Sequence, residues 1–371
     1  MVQAVMEFDR SRQVLRIAGQ ELGAEEVLRL RSSHTPAEDP AFDDLLAFLE
    51  EWFSEGEEIV LHTSGSTGNP KEIRALKRAM MESARMTCAA LGLRAGMRAL
   101  LPMNLRYIGA KMMVVRALVA GMELVVRGAS GHPFSEDVGK IHFAAIVPLQ
   151  LYNTLQDVRE RARFAKVDRV LVGGGAVDAD LARELLPFPN AVYSTYGMTE
   201  TLSHIALRRL TGKDAGAYYE PLAGISVSLS EDDTLVVDAP MLCSEPLKTN
   251  DIAELDGEGR FRVLGRADNV INSGGVKVQV EAVEEAVAKV LHVLFAVTAL
   301  PDPKLGEEVV LLVERGLDPK TDAEVLAAIQ AKLPAYHAPK RILRVKQIPL
   351  AGNAKIDRRA CRELALHAAG L

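Results

Sequence analysis

At 371 residues, 48% apolar and 25% charged, the chain has the length for two or three domains and the composition of an ordinary globular protein. That excludes a disordered tail protein, a collagen-like repeat and a disulfide-stapled miniprotein. Its 44 Lys and Arg against 50 Asp and Glu leave a net charge of −6, so nothing favours phosphate backbones and nucleic acid is not an expected partner. The three cysteines, Cys88, Cys243 and Cys361, are odd in number and far apart, which suits free thiols in a reducing compartment.

The N-terminus has no basic cluster followed by an apolar stretch, so no targeting segment is expected there. The first 55 residues carry a hairpin pattern and a helix at 41–53, but no nameable chemistry. From Glu58 to Thr195 short apolar runs (58–62, 97–101, 123–126, 143–147, 169–172 and 191–194) read as strands. The segments 76–91, 108–120, 148–158 and 178–186 read as helices between them, which predicts a parallel sheet covered by helices. The most apolar long window, Met112–Val126, is broken by Arg116 and Glu123 and is read as a buried helix and strand rather than a membrane span. From Gly224 to Val263 the pattern becomes β-rich, predicting an antiparallel or barrel-like subdomain. Beyond 268 a strand pair at 270–278, helices at 280–290, 322–333 and 358–368, and strands at 293–300, 307–314 and 341–346 predict a small α+β unit. The expected fold class is α/β: a large N-terminal domain, 1–267, of parallel α/β sheets plus a β-rich subdomain, then a small mobile α+β domain, 268–371.

The strongest local motif is LHTSGSTGNPK, Leu61–Lys71. Thr63, Ser64, Ser66 and Thr67 supply hydroxyls, Gly65 and Gly68 let the backbone approach a ligand, and Lys71 adds charge. This suits phosphate oxygens, although the order is not that of a Walker loop, because Pro70 precedes Lys71 and Glu72 follows it. The bland alternative is a flexible Ser/Gly turn. LVGGGAVDADL (171–181) is a strand, a triple-glycine turn and a helix with Asp178 as N-cap; a plain tight turn explains it as well as a nucleotide loop does. YSTYGMTET (193–201) is a strand end bearing Glu200, a candidate metal ligand if it lies where α/β sheets bind ligands, and otherwise a solvated carboxylate. Asp251 and Lys355, taken singly, read as a turn former and a solvated side chain. The histidines show no HExxH, and no Gly-x-Ser-x-Gly elbow supports a serine hydrolase.

TSGSTGNPK, YGMTE, TND, GRADNVINSGG and NAKIDR, in this order and at these separations, resemble the superfamily of acyl- and aryl-CoA synthetases, adenylation domains and luciferases, over about 58–360. The resemblance implies activation of a carboxylate by ATP, release of pyrophosphate, and transfer of the acyl group to a thiol, usually coenzyme A. The short chain, together with 110–122, 198–208 and 271–279, resembles within it the short 2-succinylbenzoate–CoA ligases of menaquinone biosynthesis, which lack much of the N-terminal region of longer relatives. Carried over residue by residue, Thr63–Lys71, including Ser64, Gly65, Ser66, Thr67 and Gly68, would hold the β- and γ-phosphates. Gly174 and Gly197 would line the ATP site, Tyr196 would pack on adenine, and Thr199 would touch the α-phosphate. Glu200 would bind Mg²⁺, Asp251 and Arg266 would hold the ribose, and Asp268 would be the hinge. Lys355 would bridge the α-phosphate and the carboxylate, where negative charge gathers during adenylation. Gly274 and Gly275 would line the channel for the pantetheine arm. A second carboxylate on the acid calls for a cation or polar donors, for which Arg106, Lys111 and His204 are the candidates.

Three positions depart from the pattern: Asn250 stands where Gly precedes the ribose Asp, Asn272 where Lys often sits, and Ala354 where Gly usually precedes the catalytic Lys. The expectation is a cytoplasmic enzyme using ATP, Mg²⁺ and coenzyme A on small-molecule substrates, without membrane insertion and compatible with a homodimer. Two alternatives stay open: the same chemistry on another aryl or acyl acid, and a nucleotide-binding homologue without turnover.

Overall fold

The computed structural model describes residues 9–33, 40–62, 72–177, 179–315, 321–334, 336–350 and 356–371. The expected loops Thr63–Lys71 and 351–355, with Asp178, lie outside the described residues. A hairpin of β1 (Leu15–Ile17) and β2 (Gln20–Leu22) precedes α1 (Ala24–Ser33) and α2 (Pro40–Phe53). The antiparallel pair β3 (Glu58–His62) and β4 (Glu72–Leu76) leads into α3 (Lys77–Leu91). Then come β5 (Arg98–Leu101), α4 (Ile108–Ala120), β6 (Glu123–Val126), β7 (Phe143–Ile146), α5 (Pro148–Gln156) and α6 (Val158–Phe164). They are followed by β8 (Arg169–Val172), α7 (Ala179–Leu185), β9 (Ala191–Gly197), β10 (His204–Arg209) and β11 (Glu220–Pro221). Next are β12 (Ser226–Leu229), β13 (Thr234–Asp238), β14 (Leu247–Leu255) and β15 (Phe261–Arg266). The chain ends with β16 (Val270–Ser273), β17 (Val276–Gln279), α8 (Val280–Ala288), β18 (Phe295–Asp302), β19 (Gly306–Glu314), α9 (Asp322–Gln330), β20 (Arg341–Val345) and α10 (Arg358–Ala369).

A nine-stranded sheet runs in the order β11-β10-β9-β8-β7-β5-β6-β1-β2. The strands from β9 to β1 are parallel, and β10, β11 and β2 add antiparallel edges. Both faces are covered, and side chains alternate between them as strand period 2 requires. Ala99, Leu101 and Leu171 pack with α1 to α4 on one face. Leu100, Val170 and Val172 pack with α5 to α7 on the other. The sheet order reverses between β5 and β7, the kind of place where open α/β sheets bind ligands.

Two details differ from the sequence reading. The run 58–62 was expected within the parallel series, but β3 pairs with β4 in a separate two-stranded sheet. Apolar periodicity marks a strand without specifying its partner, and here the partner is the next strand in the chain. The helix expected at 148–158 ends at Gln156, and α6 begins beyond it. Asp157 makes the break by accepting the backbone N–H groups of Arg159 and Glu160 as an N-cap.

Strands β12 to β15 form an antiparallel four-stranded sheet around Leu235, Val237, Ala253 and Phe261. Strands β16 to β20 form a five-stranded sheet flanked by α8, α9 and α10, with hydrophobic clusters composed entirely of residues from 271 onward. No helix among the described residues is long and apolar enough to cross a membrane.

Trp52 anchors α2 against the main sheet: it is 0% exposed, and its indole N–H donates to Gln13 Oε1 at 2.9 Å. Trp52→Ala removes that bond and opens a cavity, and is expected to cost about 3–5 kcal/mol, read as a lower urea midpoint by circular dichroism.

Candidate functional site

The site forms at the carboxyl ends of β8 and β9. After β8 the chain enters Gly173–Gly175, and Gly174 has φ +80, where an L side chain would be strained. A Cβ on Gly173 would lie 2.5 Å from Thr195 Oγ1, so this turn packs directly on the neighbouring strand end. At the end of β9 the constraint is tighter. A Cβ on Gly197 would lie 2.2 Å from the Ser203 carbonyl oxygen and 2.5 Å from His204 Cα. Gly197 therefore lets residues 198–203 fold back so that His204 pairs with it across the β9–β10 ladder.

Thr201 holds that loop closed. Its hydroxyl accepts the Met198 N–H at 3.0 Å and faces the Met198 and Ser203 carbonyls at 3.0 and 2.8 Å. Leu202, at φ 65, donates its N–H to the Thr199 carbonyl at 2.9 Å. The tip presents Thr199 and an exposed Glu200. The Cys243 thiol reaches the Glu200 carbonyl at 3.4 Å, and burial pushes that thiol's pKa up.

Tyr196 joins this strand end to the four-stranded sheet. Its hydroxyl donates to Asp251 Oδ2 at 2.5 Å. Phe261 meets its ring edge-on at 5.0 Å and Tyr219 lies tilted at 5.9 Å, so neither stacks face to face on it. Burial, reinforced by the Asp251 carboxylate, pushes the Tyr196 phenol well above its ordinary range and keeps it a neutral donor. Asp251 and Arg266 face each other across the β14–β15 ladder, with Arg266 Nη1 3.4 Å from Asp251 Oδ1. Arg266 also grips Asp268 with two bonds of 2.8 Å, which lower the Asp268 carboxyl and raise the guanidinium. Asn250, one of the departures from the family pattern, also hydrogen-bonds Asp268 and helps hold it ionised.

The structure thus places Gly174, Tyr196, Gly197, Thr199 and Glu200 at or just beyond the ends of β8 and β9, and links Tyr196 through hydrogen bonds and ion pairs to Asp251, Arg266 and Asp268. Gly274 and Gly275 form the β16–β17 turn with φ 60 and 82, a hairpin geometry that itself asks for glycine. Arg106 is exposed, and Lys111 lies 3.7 Å from Glu51 and over the Phe48 ring on the α2 side. His204 is buried at 6% exposure. Its Nε2 is 3.0 Å from Thr87 Oγ1, and its Nδ1 is 3.4 Å from both Ser203 Oγ and Arg116 Nη2. Sequence reasoning missed Arg116, which it treated only as a charge interrupting an apolar window, and the aromatic wall of Tyr219 and Phe261. An arginine amid seven other buried residues of one helix was the available signal.

Burial, with the Arg116 charge beside it, lowers the His204 pKa well below the ordinary value. The folded chain resists protonation where the unfolded imidazole accepts it, so this contribution to stability is present at neutral pH and is lost as pH falls through about 6.5. His204→Gln is expected to flatten the dependence of the urea midpoint between pH 7 and 5.5, by up to about 1.4 kcal/mol per pH unit. Equal slopes in the two proteins would refute the buried neutral imidazole.

The AMP-binding enzyme family matches residues 18–242. A crystallised acyl-CoA synthetase (AMP-forming)/AMP-acid ligase II-like protein from Dyadobacter fermentans is 34% identical, with 92% of this chain and 97% of that one covered and a TM-score of 0.61. A probable 2-succinylbenzoate–CoA ligase of Mycobacterium tuberculosis is 28% identical over 331 residues, covering 81% of this chain and 83% of that protein. The O-succinylbenzoate coenzyme A synthetase of Bacillus subtilis, solved with ATP and magnesium ion, shares the fold at 21% identity and a TM-score of 0.69, with 81% of this chain and 68% of that one covered. By the family match over 18–242 and the likeness to the Dyadobacter protein along nearly its whole length, this chain belongs to the AMP-binding enzyme family.

Proposed function

We propose that this enzyme is an ATP-dependent, AMP-forming carboxylic acid–CoA ligase that adenylates 2-succinylbenzoate and passes the acyl group to coenzyme A, a step of menaquinone biosynthesis. The observation that carries the reading is the Tyr196–Asp251–Arg266 assembly beside the Thr199–Glu200 loop. A carboxylate has about four acceptor sites, so Asp251, bonded to Tyr196 and Arg266, keeps capacity for ribose hydroxyls. Tyr196, with no ring stacked face to face on it among the described residues, supplies an aromatic surface for adenine. Gly174 and Gly197 let the chain turn sharply at the ends of β8 and β9, and Thr199, on the loop that follows, would reach the α-phosphate.

Glu200 is exposed, and no cluster of three or more His, Cys, Asp or Glu suited to a metal occurs among the described residues. That donor set suits a Mg²⁺ ion held by one carboxylate together with substrate phosphates and water, rather than a resident metal. Thr63–Lys71 would hold the outer phosphates, and Lys355 would neutralise charge gathering between the α-phosphate and the attacking carboxylate. A division into 1–267 and 268–371, hinged at Asp268, is supported by hydrophobic clusters that share no residue across it. The unpaired Cys88, Cys243 and Cys361 support a reducing, cytoplasmic setting.

ATP–pyrophosphate exchange across a panel of acids tests the reading, with 2-succinylbenzoate expected to exceed benzoate and simple fatty acids by more than tenfold in kcat/KM. No exchange with any acid would overturn the reaction class. Lys355→Ala is expected to lose adenylation by orders of magnitude while retaining much of its transfer from preformed acyl-adenylate to coenzyme A. Equal loss in both half-reactions would count against that role. The positive φ of Gly275 makes Asn, which tolerates this conformation, the informative replacement. Open space surrounds a Cβ at that position, so Gly275→Asn is expected to keep its melting temperature and pyrophosphate release but to slow thioester formation. If melting temperature and both half-reactions fall together, the glycine serves only the turn.

A further inference from the structure

At the amino ends of β7, β8 and β9, opposite the strand ends that carry the candidate site, the surface opens into a cavity of about 740 Å³. Small-molecule sites span about 300–1,000 Å³. Four cations line this one, Lys140, Lys166, Arg169 and Arg209, against one carboxylate, Asp168. Asp168 is taken by the Lys140 ammonium, which also donates to the Lys166 carbonyl at 2.8 Å. No carboxylate pairs with Lys166, Arg169 or Arg209 among the described residues, so the cavity keeps an excess of three positive charges. The chain as a whole carries −6, and Arg161 on α6 does pair with Glu184, so acidic partners are not scarce.

Arg209 distinguishes this cavity from a solvated basic surface. Its Nε donates to the Thr211 carbonyl and to Thr211 Oγ1, both at 3.0 Å, and its Nη1 donates to the Tyr193 hydroxyl at 2.9 Å. The guanidinium also lies over the Tyr193 ring, 4.9 Å from its centroid. Thr211 is 0% exposed and is fixed in turn, because its hydroxyl donates to the Asn190 carbonyl at 2.7 Å and accepts the Val192 N–H at 3.1 Å. All these partners are neutral. They hold the guanidinium in one orientation without cancelling its charge, and its Nη2 has no partner among the described residues. A planar fork fixed beforehand, with donors to spare, suits bidentate binding of an oxyanion and lowers the entropy lost when one binds. Arg169 pairs with Ala191, and Arg209 with Tyr193 two residues further along β9, so both guanidinium groups leave the same face of the sheet.

We propose that this cavity is a second ligand site, separate from the adenylating site, for a phosphorylated small molecule. Arg209 grips the phosphate, and Lys166 and Arg169 balance its remaining charge. A phosphate monoester carries about −1.5 to −2 at pH 7 and a diphosphate more, which matches an excess of three cations better than a single carboxylate does. Ala165, Val167 and Pro189 add apolar surface for an organic part of the ligand. The proposal does not depend on which acid the enzyme activates. The rival explanation is a basic surface without a ligand: Lys166 is exposed, and Arg169 complements the carbonyl end of α3, since a Cβ on Gly92 would lie 3.9 Å from its Nη2.

The test is calorimetric titration of the full chain with inorganic pyrophosphate and fructose 1,6-bisphosphate, with citrate as a polycarboxylate control. Lys71→Ala strips the expected phosphate loop of the adenylating site of its cation, and so isolates a second site. At least one of the two phosphates is expected to bind wild type and Lys71→Ala alike, with a Kd below about 1 mM. Arg209→Gln and Lys166→Glu are each expected to weaken that binding about tenfold or more, and Arg209→Lys, which keeps the charge but not the fork, to fall between. Arg209→Gln is also expected to keep the wild-type melting temperature; should it not fold, Lys166→Glu, at an exposed position, carries the test. Binding that disappears in Lys71→Ala belongs to the adenylating site and overturns the proposal. So does binding that both cavity variants leave unchanged, citrate binding as tightly as the phosphates, or no saturable binding of either phosphate. Because the readout is binding, these outcomes stand apart from whether ATP–pyrophosphate exchange is seen with any acid.

Discussion

The bond from the Tyr196 hydroxyl to Asp251 spans two sheets that share no strand. Tyr196 ends a parallel strand of the main sheet, and Asp251 lies in the antiparallel ladder opposite Arg266. Because the phenol stays neutral and the carboxylate accepts, the contact is directional and assisted by charge, and it fixes how the smaller sheet meets the strand ends. Arg266 continues the chain of contacts to Asp268, the first polar group beyond β15. The candidate nucleotide site, the sheet junction and the proposed hinge therefore depend on one line of hydrogen bonds.

That line meets a second constraint at Gly197. The tight return of the chain there sends one neighbour, Tyr196, toward the smaller sheet and brings Ser203 and His204 back over α3 and α4. The exposed Thr199–Glu200 tip is thus set between an aromatic, carboxylate-bearing wall and a buried, positively charged cluster. Under the proposed function the aromatic, carboxylate-bearing side would face the nucleoside. The arrangement needs no long-range motion to make both sides available to one loop.

Departures from the family pattern acquire local explanations where the residues are described. Asn250 bonds Asp268, adding a partner that glycine could not supply. Asn272 donates its backbone N–H to Glu307 Oε2 at 3.1 Å, a bond that does not depend on its side chain. The Gly274–Gly275 turn combines positive φ at both positions with a close approach, since a Cβ on Gly274 would lie 3.1 Å from Leu305 Cδ2. Gly275 has open space around it, so backbone conformation and room for a passing ligand are separable demands there.

The sequence by itself determined the alternation of strands and helices, the change to β-rich pattern after Gly224 and the α+β character beyond 268. Each follows from short-range periodicity, and the ordered motifs added the residue types of an adenylating site. It could not determine that 58–62 pairs with 72–76 outside the main sheet, because an apolar strand looks the same beside any partner. Nor could it distinguish Lys111, drawn to Glu51 and Phe48, from Arg116, buried five residues later on the same helix. Both are single cations in an apolar run, and only packing decides which face of the helix meets solvent and which meets the sheet. The tertiary structure made that choice because a helix turns about 100° per residue, so five residues carry a charge from the α2 side to the loop that follows Glu200.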